Sequence, residues 1–363
     1  TIILNFRMKI LIAILVLISF NLFAEELIIP IIKYFPLSKT IATKLPGSSS
    51  IIINRYDISK YNNFSISEII AFESGINSTS LYGSNSSGSK TTIDMRGMGA
   101  QAKSNVLILI NGQRLNNIDM SEIDFPSIPI ESIDRVEIIK GNASSVLYGD
   151  GAIGGSINFI TKPSITLKPL NEIKIKYGTF NYKEINWNYA RSIGLFKFSS
   201  YLNDKTTDGY RDHNEQHQTS FESEIRYPTT KGDTFLKIGI NDQNMNTPSD
   251  RDQNQLHSDR QGTDTPKDYV KSDGGSLLYG SDYRINDSII LIINSSFRLK
   301  DSYSDLQSTD YPSYSDTSLT NYQFTPRMNH QTSMFGKIAK LTYGLDLQYA
   351  DYKSYRKKNE NAI

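Results

Sequence analysis

The chain has 363 residues, enough for two or three ordinary domains, and it contains no cysteine, which excludes disulfide bridges, thiolate metal sites and thiol nucleophiles. Its 39 lysines and arginines balance 38 aspartates and glutamates, so the formal net charge of +1 gives no reason to expect binding to nucleic acid. A hydrophobic content of 38% resembles that of a water-soluble protein, but membrane-spanning β-strands, which alternate apolar and polar residues, average out to a similar content.

The first residues have the features of an export signal. Lys9 precedes the apolar run 10–19, and a small-residue cleavage site follows at Ala24. The run is shorter than the roughly 20 residues that a membrane-spanning helix needs. We therefore predict a signal peptide at residues 1–24, with Met8 as the true start, and a mature chain that leaves the cytoplasm. The alternative is a buried core helix.

The next recognisable elements are a strand, a helix and a loop. Residues 51–58 are typical of a strand and its exit. A helix is predicted to begin at Ser65, because Glu68 completes a capping box, and to stop at Gly75. The Ser/Gly/Asn-rich stretch 78–90 indicates a loop.

Three further strands follow. Residues 92–97 form a strand that ends at a glycine, and the unbroken apolar run 106–110 is typical of a strand buried on both faces. Asn111 and Gly112 predict a tight reversal, since both accept positive φ. Residues 134–140 are the next strand. Short strands alternating with short helices indicate a small α+β domain, which we place at residues 51–165.

One motif in this domain resembles a nucleotide site. Residues 149–154 match the dinucleotide-binding pattern G-x-G-x-x-G. That pattern requires a helix after the glycines, whereas residues 156–161 alternate with a period of two and predict a strand. We therefore expect the glycines to permit positive φ and close approach of the backbone, and no nucleotide to bind.

The second half of the chain alternates apolar and polar residues in segments of roughly ten residues, the pattern of antiparallel transmembrane β-barrel strands. Links after the second, fourth, sixth and eighth segments are short, whereas those after the third, fifth and seventh are long and polar, as in outer-membrane barrels. The predicted strands lie near residues 171–178, 182–190, 194–203, 218–227, 234–243, 276–285, 288–300, 319–329 and 336–352.

Three blocks of the first half carry a family resemblance. MRGMG at 95–99, VLILINGQRLN at 106–116 and the long block at 128–162 resemble, in order and spacing, the plug domain of TonB-dependent outer-membrane receptors. The resemblance implies a plug inside the lumen of a large barrel. Plugged transporters have roughly 22 strands and we count roughly nine in residues 166–363, so we expect an N-terminal fragment whose sheet has an open edge.

The resemblance also implies site residues. In the N-terminal segment 25–50 it suggests a TonB box, a peptide that would pair with the energy-coupling protein TonB by strand addition, at Glu26, Leu27, Ile28, Ile29 and Pro30. The plug motif comprises Arg96, Gly97, Asn111, Gly112, Glu137, Lys140, Gly141, Tyr148, Gly149, Gly151, Gly154 and Gly155.

Two cations of this motif have an implied partner. Arg96 and Lys140 are expected near carboxylates of the barrel wall, where buried ion pairs would hold the plug in place. Lys140 stands where arginine is usual, and Asn142 where proline is usual. Lysine cannot form a bidentate clamp, so the local geometry is expected to differ from that of the family.

An oxygen-rich loop raises the question of metal binding. Asp204, Asp208, Asp212 and Glu215 cluster in sequence, and calcium prefers such ligands, but their spacing follows no ligand ladder and makes them weak candidates. No other metal site, no cofactor and no catalytic set is predicted.

As a whole, the resemblance implies a transporter in the outer membrane of a Gram-negative bacterium, with TonB, membrane lipid and a scarce bulky nutrient as partners. A ferric siderophore is the nutrient expected by default. Cobalamin, haem or saccharide uptake, or a non-transporting adhesin or structural barrel, are the alternatives.

Overall fold

The computed structural model describes residues 49–61, 64–80, 91–117, 120, 123, 125, 128, 130–161, 169–307 and 312–358. Within these ranges the chain forms an N-terminal domain and a large antiparallel sheet. The predicted signal peptide lies outside the described residues, and so does the candidate TonB box.

The N-terminal domain is built on a five-stranded sheet and a separate two-stranded ribbon. Its strands are β1 (Ser49–Asn54), β2 (Ile76–Ser80), β3 (Thr91–Met95), β4 (Val106–Ile110), β5 (Gln113–Arg114), β6 (Ile133–Lys140) and β7 (Gly155–Thr161). The sheet has the order β1-β6-β7-β4-β5, in which only β4 and β7 run parallel, and β2 pairs with β3 in the ribbon. The predicted α+β domain is confirmed.

Among the described residues of this domain the structure has four short α-helices, α1 (Arg55–Ser59), α2 (Ile66–Ala71), α3 (Ala102–Asn105) and α4 (Ala143–Tyr148), and two 3-10 turns at Gly99–Gln101 and Ile130–Ser132. The predicted capping box begins α2. The Ser65 side chain accepts the Glu68 N–H at 3.3 Å, and the Glu68 carboxylate accepts the Ser65 N–H at 2.8 Å. The chain leaves this helix through Gly75, whose φ is +75°.

Strand β4 is buried on both faces, as its unbroken apolar sequence predicted. Val106, Ile108 and Ile110 belong to the main core, which also takes in Phe159 and Ile138. The alternate residues of β4, Leu107 and Leu109, pack on the other side of the sheet against Ala152. Covering both faces of one strand makes the sheet the rigid centre of the domain.

Two local predictions for this domain were wrong. Residues 78–80 are part of strand β2, because Ser78, Thr79 and Ser80 pair with β3, so long-range pairing prevails over their polar composition. The remainder of the predicted loop, 81–90, lies outside the described residues. Residues 55–59 form helix α1 instead of a strand exit.

The second unit, the wall sheet, has ten strands: β8 (Leu170–Tyr177), β9 (Lys183–Ile193), β10 (Phe196–Thr207), β11 (Gln216–Thr229), β12 (Gly232–Asn246), β13 (Tyr269–Arg284), β14 (Ile289–Leu306), β15 (Ser313–Met334), β16 (Lys337–Gly344) and β17 (Leu347–Lys357). From β8 to β16 each strand pairs antiparallel with the next one in the chain. A further helix, α5 (Gln253–Ser258), lies in the link between β12 and β13.

Strands β16 and β17 occupy one strand position. Both pair with β15, β16 along residues 327–334 and β17 along residues 314–324. The break falls opposite Pro326, which has no N–H to donate to the ladder. The described sheet therefore has nine strand positions, at the places predicted. It is open at β8 and at β16/β17, each of which pairs with one described strand position, as expected.

The links between wall strands alternate in length as predicted. Residues 194–195, 230–231, 285–288 and 335–336 form the short ones, and residues 208–215 and 247–268 form long ones at the opposite end of the sheet. The seventh link was predicted to be long and is short, because β14 extends to Leu306 and β15 already begins at Ser313.

The two faces of the wall sheet differ in polarity. On β11 the alternate residues Gln216, Gln218, Ser220, Glu222, Glu224 and Arg226 are buried on the face that meets the N-terminal domain. The opposite face exposes apolar side chains, among them Leu236, Ile238, Leu277, Tyr279, Tyr322 and Phe324. Among the residues that the structure describes, no helix is long and apolar enough to cross a membrane.

Candidate functional site

The N-terminal domain meets the wall sheet through the hairpin of β4 and β5. Asn111 and Gly112 form its two-residue turn with φ of +50° and +82°, as their sequence predicted. The turn directs Gln113 at the wall, where its side-chain amide donates to the carbonyls of Tyr279 and Ser295, both at 3.4 Å. These two wall residues face each other across β13 and β14.

Two wall side chains hold the chain just after this turn. The Arg298 guanidinium donates to the Leu115 carbonyl at 3.0 Å and to the Asn117 side-chain oxygen at 3.4 Å. The Gln323 amide donates to the Arg114 carbonyl at 3.0 Å. We call this set, Gln113–Asn117 with Arg298 and Gln323, the hairpin clasp. The bonds that Arg298 and Gln323 donate to the carbonyls of Leu115 and Arg114 hold the backbone itself, so they do not depend on the side chains at these two positions.

Apolar contact reinforces the hairpin clasp. Leu278 of β13 is a member of the main core of the N-terminal domain. Around it the two units enclose a small cavity of about 100 Å³, bordered by Ile110, Ile123 and Ile128 on one side and by Leu319 on the other. The wall strands β13–β15 thus complete the hydrophobic core of the domain.

A second bridge lies at the end of the wall sheet. The Arg327 guanidinium is 5.3 Å from the centre of the Tyr148 ring and donates to Asp346, the residue in the break between β16 and β17, at 3.1 Å. Burial raises the pKa of the Tyr148 phenol to about 12, so this ring stays neutral. Arg114 donates to the Asp150 carbonyl nearby.

On the other half of the wall, β8–β11, the two units are separated by a cavity of about 530 Å³, the lateral cavity. The N-terminal domain borders it with Phe64, Ser65, Ile66, Glu68 and residues of the 125–131 stretch. The wall contributes Lys176, Tyr182, Glu184, Asn186, Asn188, Tyr201, Asn203, Lys205, Gln218 and Ser220.

The Glu184 carboxylate is the centre of the polar lining. It accepts from the Tyr182 hydroxyl at 2.7 Å and from the amides of Asn186 and Asn203, both at 2.9 Å, and it pairs with Lys176 at 3.0 Å. A carboxylate with four partners is stable when buried, because its charge is compensated by the groups around it.

Family comparison identifies the N-terminal domain. Residues 42–156 match the family model of the TonB-dependent Receptor Plug Domain. The chain contains a TonB-dependent receptor plug domain. The polar face of the wall sheet packs around this plug, and its strands are the described part of the barrel.

Solved structures of the same fold support this architecture. The chain is similar to the unliganded ferric citrate transporter FecA, with a TM-score of 0.73 and 14% identity, over 85% of this chain and 48% of that one. It is also similar to the ferric yersiniabactin uptake receptor FyuA from Yersinia pestis (0.71, 15%, 86% and 50%) and to FpvA of P. aeruginosa bound to heterologous pyoverdines (0.69, 13%, 85% and 43%). The chain spans about half the length of these proteins.

The motif residues of the plug lie around its sheet. Arg96 and Gly97 both have positive φ, and the Arg96 guanidinium lies over Gly141. Glu137 pairs with Arg135 at 2.7 Å, and Lys140 donates to the Ser74 carbonyl. Gly149 and Gly151 also have positive φ, and Gly154 donates its N–H to the Asn105 carbonyl.

The expected ion pairs of Arg96 and Lys140 with barrel-wall carboxylates are not found among the described residues. Both cations lie against backbone of the plug itself. The hydrogen bonds of the hairpin clasp do cross to the wall, from Gln113 of the plug and from Arg298 and Gln323 of the wall. Sequence analysis missed them because their partners are more than 150 residues away in the chain.

The weak calcium candidates are not brought together. Asp204 accepts from His217 at 3.1 Å and from Thr219 at 2.7 Å, whereas Asp208 accepts from Asn181 and Glu215 from Asn246. Within the described ranges no group of three or more His, Asp or Glu side chains is placed so that it could hold a metal ion.

The long links form one packed unit instead. Arg211 of the 208–215 link donates to the carbonyls of Ser249 and Gly262, and Arg251 pairs with Asp259 at 3.2 Å and with Asp264 at 3.0 Å. Burial lowers the pKa of Arg211, and the neighbouring Arg251 lowers it further. These contacts join the links 208–215 and 247–268 into a single rim above the wall.

Proposed function

We propose that this chain belongs to an energy-coupled importer in the outer membrane of a Gram-negative bacterium, which takes up a ferric siderophore or a similar ferric chelate. The observation that carries the proposal is a plug domain packed against the polar face of a sheet whose opposite face is apolar. Such a face is stable against lipid, whereas a patch of this extent is unfavourable in water.

The ligand class is supported by the structural neighbours. FecA is described as a ferric citrate transporter, FyuA as a ferric yersiniabactin uptake receptor, and FpvA is bound to pyoverdine with iron. Fold likeness at this identity leaves the ligand to experiment. The ligand is proposed to settle between the external links and the plug, because the rim formed by residues 208–215 and 247–268 stands at that end of the wall.

Energy is proposed to come from TonB through the segment Glu26–Pro30. Such a peptide binds by adding an edge strand to the sheet of its partner. It precedes β1, which pairs with the plug sheet on one side through β6. A pull on the N-terminus would therefore act first on the edge strand of the plug, where the fewest ladder hydrogen bonds resist it.

The first test is deletion of residues 25–30 from the full-length receptor. We expect cells to keep binding radioactive iron supplied as ferric citrate, ferric yersiniabactin or ferric pyoverdine but to stop importing the bound chelate, because binding and energy coupling use different parts of the chain. Deleting residues 33–38 from the same segment is the control and should leave uptake intact. Continued uptake after the first deletion would place the coupling peptide elsewhere, and binding of haem or cobalamin alone would replace the ferric ligand.

A further inference from the structure

Two carboxylates are buried at the place where the rim joins the wall. Asp268 is the last residue of the 247–268 link and is 5% exposed, and Asp305 lies near the end of β14 and is 2% exposed. The residue after Asp268, Tyr269, is paired with Asp305 across β13 and β14. Both carboxylates bind Gln307: Asp268 accepts its backbone N–H at 2.6 Å, and Asp305 accepts its side-chain amide at 3.1 Å. The two acidic groups therefore share one donor residue.

Asp268 also joins the two links of the rim to each other. Its backbone carbonyl accepts the Thr247 N–H at 3.1 Å, and the ring Nε2 of His213, from the 208–215 link, lies 2.7 Å from the same carbonyl oxygen. A movement of Asp268 is therefore passed directly to both links of the rim.

The charge of this carboxylate pair is poorly compensated. Within the described part of the chain, neither Asp268 nor Asp305 forms an ion pair with a lysine or an arginine, and the Oδ1 atom of Asp305 is buried without a hydrogen-bond partner. The charged groups that act on Asp268 are Asp305 on β14, which repels it, and His213, which attracts it when protonated. Lys267 and Glu215, at neighbouring positions of the two links, have exposed side chains, whose charges are screened by water and salt.

A proton stabilises such a pair. Two buried carboxylates that are both ionised repel each other in surroundings that solvate charge poorly, and protonation of one of them removes the repulsion. Burial raises the pKa of the Asp268 carboxyl, and the charge of Asp305 raises it further, against the lowering effect of the hydrogen bond from Gln307. A proton on Asp268 is therefore favoured more than on an ordinary aspartate.

From this arrangement we propose that Asp268 is a proton-dependent latch, which fastens the rim to the end of β14 in mild acid and loosens it at neutral pH. The direction follows from linkage. The fastened rim binds the Asp268 proton more tightly than an open rim, in which the side chain is hydrated and has the ordinary pKa of an aspartate. The stabilisation is complete below that ordinary pKa and is lost as the pH rises through the raised one.

The latch adds regulation to the proposed transport, because the rim stands at the end of the wall where the ligand is proposed to settle. It is measured on the receptor alone, without ligand and without TonB. Failure of the latch and failure of the proposed function are therefore distinguishable.

Hydrogen exchange of backbone amides tests the latch in the full-length receptor, purified in phospholipid nanodiscs, from about pH 4 to about pH 7.5. Exchange is expressed as protection factors, which removes the intrinsic effect of pH on the exchange rate. We expect the protection of residues 208–215 and of Gln307 to fall several-fold as the pH rises, while the protection of the plug strand β6 stays constant.

Two substitutions and a control separate the carboxylate pair from other titrating groups. Asp268→Asn keeps an oxygen that accepts the Gln307 N–H but carries no charge, so the rim should stay protected at every pH. Asp305→Asn removes the repulsion, so the fall in protection should become smaller. Asp250→Asn removes an exposed carboxylate of the same link and, as the control, should reproduce the wild-type profile.

Three results would overturn the latch. The first is a wild-type rim whose protection does not change with pH. The second is persistence of the change in Asp268→Asn, which would assign it to another group such as His213. The third is a fall of full size in Asp305→Asn, a variant that keeps the test decisive if Asp268→Asn does not assemble.

A metal ion could compensate the same two charges, and a further measurement distinguishes it from a proton. Calcium chloride, added to the wild-type receptor at about pH 7.5, should leave the protection of the rim unchanged. A rise in protection that Asp305→Asn abolishes would show that a metal ion takes the place of the proton, and the proposal would be wrong.

Discussion

Backbone conformation at single residues shapes the plug. Gly155 begins β7 with φ of +145°, and a Cβ added there would lie 2.5 Å from the Ile139 carbonyl oxygen and 2.7 Å from the Met95 sulfur. The sequence indicated a glycine cluster that permits close approach, and the tertiary structure shows which neighbours approach. Gly75, in contrast, has φ of +75° with open space around it.

These two glycines form a matched pair for a test. Gly155→Ala should lower the free energy of local unfolding by about 2 kcal/mol or more, since both backbone strain and overlap with backbone atoms oppose it, whereas Gly75→Ala should cost about 1 kcal/mol from conformation alone. Amide hydrogen exchange of β6 and β7 in the full-length receptor measures the difference. Equal effects of the two variants would show that the close contact with the Ile139 carbonyl adds no cost at Gly155.

At the scale of elements, the β4–β5 hairpin joins the plug to the wall. Its turn is specified locally by Asn111 and Gly112. Its attachment to the wall depends on Arg298 and Gln323, which lie on β14 and β15. The break between β16 and β17 also combines a local and a long-range effect. Pro326 locally interrupts the hydrogen-bond ladder, and Asp346, which lies in the break, accepts a hydrogen bond from Arg327.

Arg298→Ala should loosen this hairpin. The Leu115 carbonyl would lose the charged donor that holds it at the interface, which costs about 1–3 kcal/mol if the carbonyl is left unsatisfied. We expect faster amide exchange in residues 113–117 and unchanged exchange in β1. Arg260→Ala, in the exposed 247–268 link, is the control. Unchanged protection of the hairpin in Arg298→Ala would mean that apolar contacts at Leu278 are sufficient to hold it.

At the scale of the whole molecule, the wall sheet reverses the usual arrangement of a soluble sheet. Polar residues face the enclosed plug, while Leu277, Ile238 and Phe324 are exposed on the outside. An apolar face of this extent is favourable against lipid and unfavourable in water, which agrees with the proposed function.

Depth in the membrane gives a graded prediction. Leu277→Arg, in the middle of β13, should destabilise the inserted receptor by about 2–4 kcal/mol, whereas Tyr283→Arg, near the short turn on the same face of that strand, should cost about 1 kcal/mol or less. The amount of heat-modifiable receptor in isolated outer membranes measures the effect. Equal amounts of both variants would contradict a lipid-facing outer surface.

Local and periodic information in the sequence was sufficient for most elements. The capping box at Ser65 and Glu68, the Asn111-Gly112 turn, the buried strand 106–110 and the alternating wall strands all depend on residues close together in the chain, whose preferences are expressed before any long-range contact forms. The plug domain itself was identified from three sequence blocks for the same reason, since their residues specify its turns and core.

The tertiary structure alone decided which residues join plug and wall. Arg96 and Lys140 were expected to do so, but they lie against plug backbone, whereas Gln113 and Arg298 make the contacts. In the tertiary structure the four acidic residues considered as calcium ligands do not form a metal-binding group, and a lateral cavity lies between plug and wall. Such features depend on strand register and on contacts between residues up to 209 positions apart, which no local pattern encodes, because they arise only when the whole sheet has assembled around the plug.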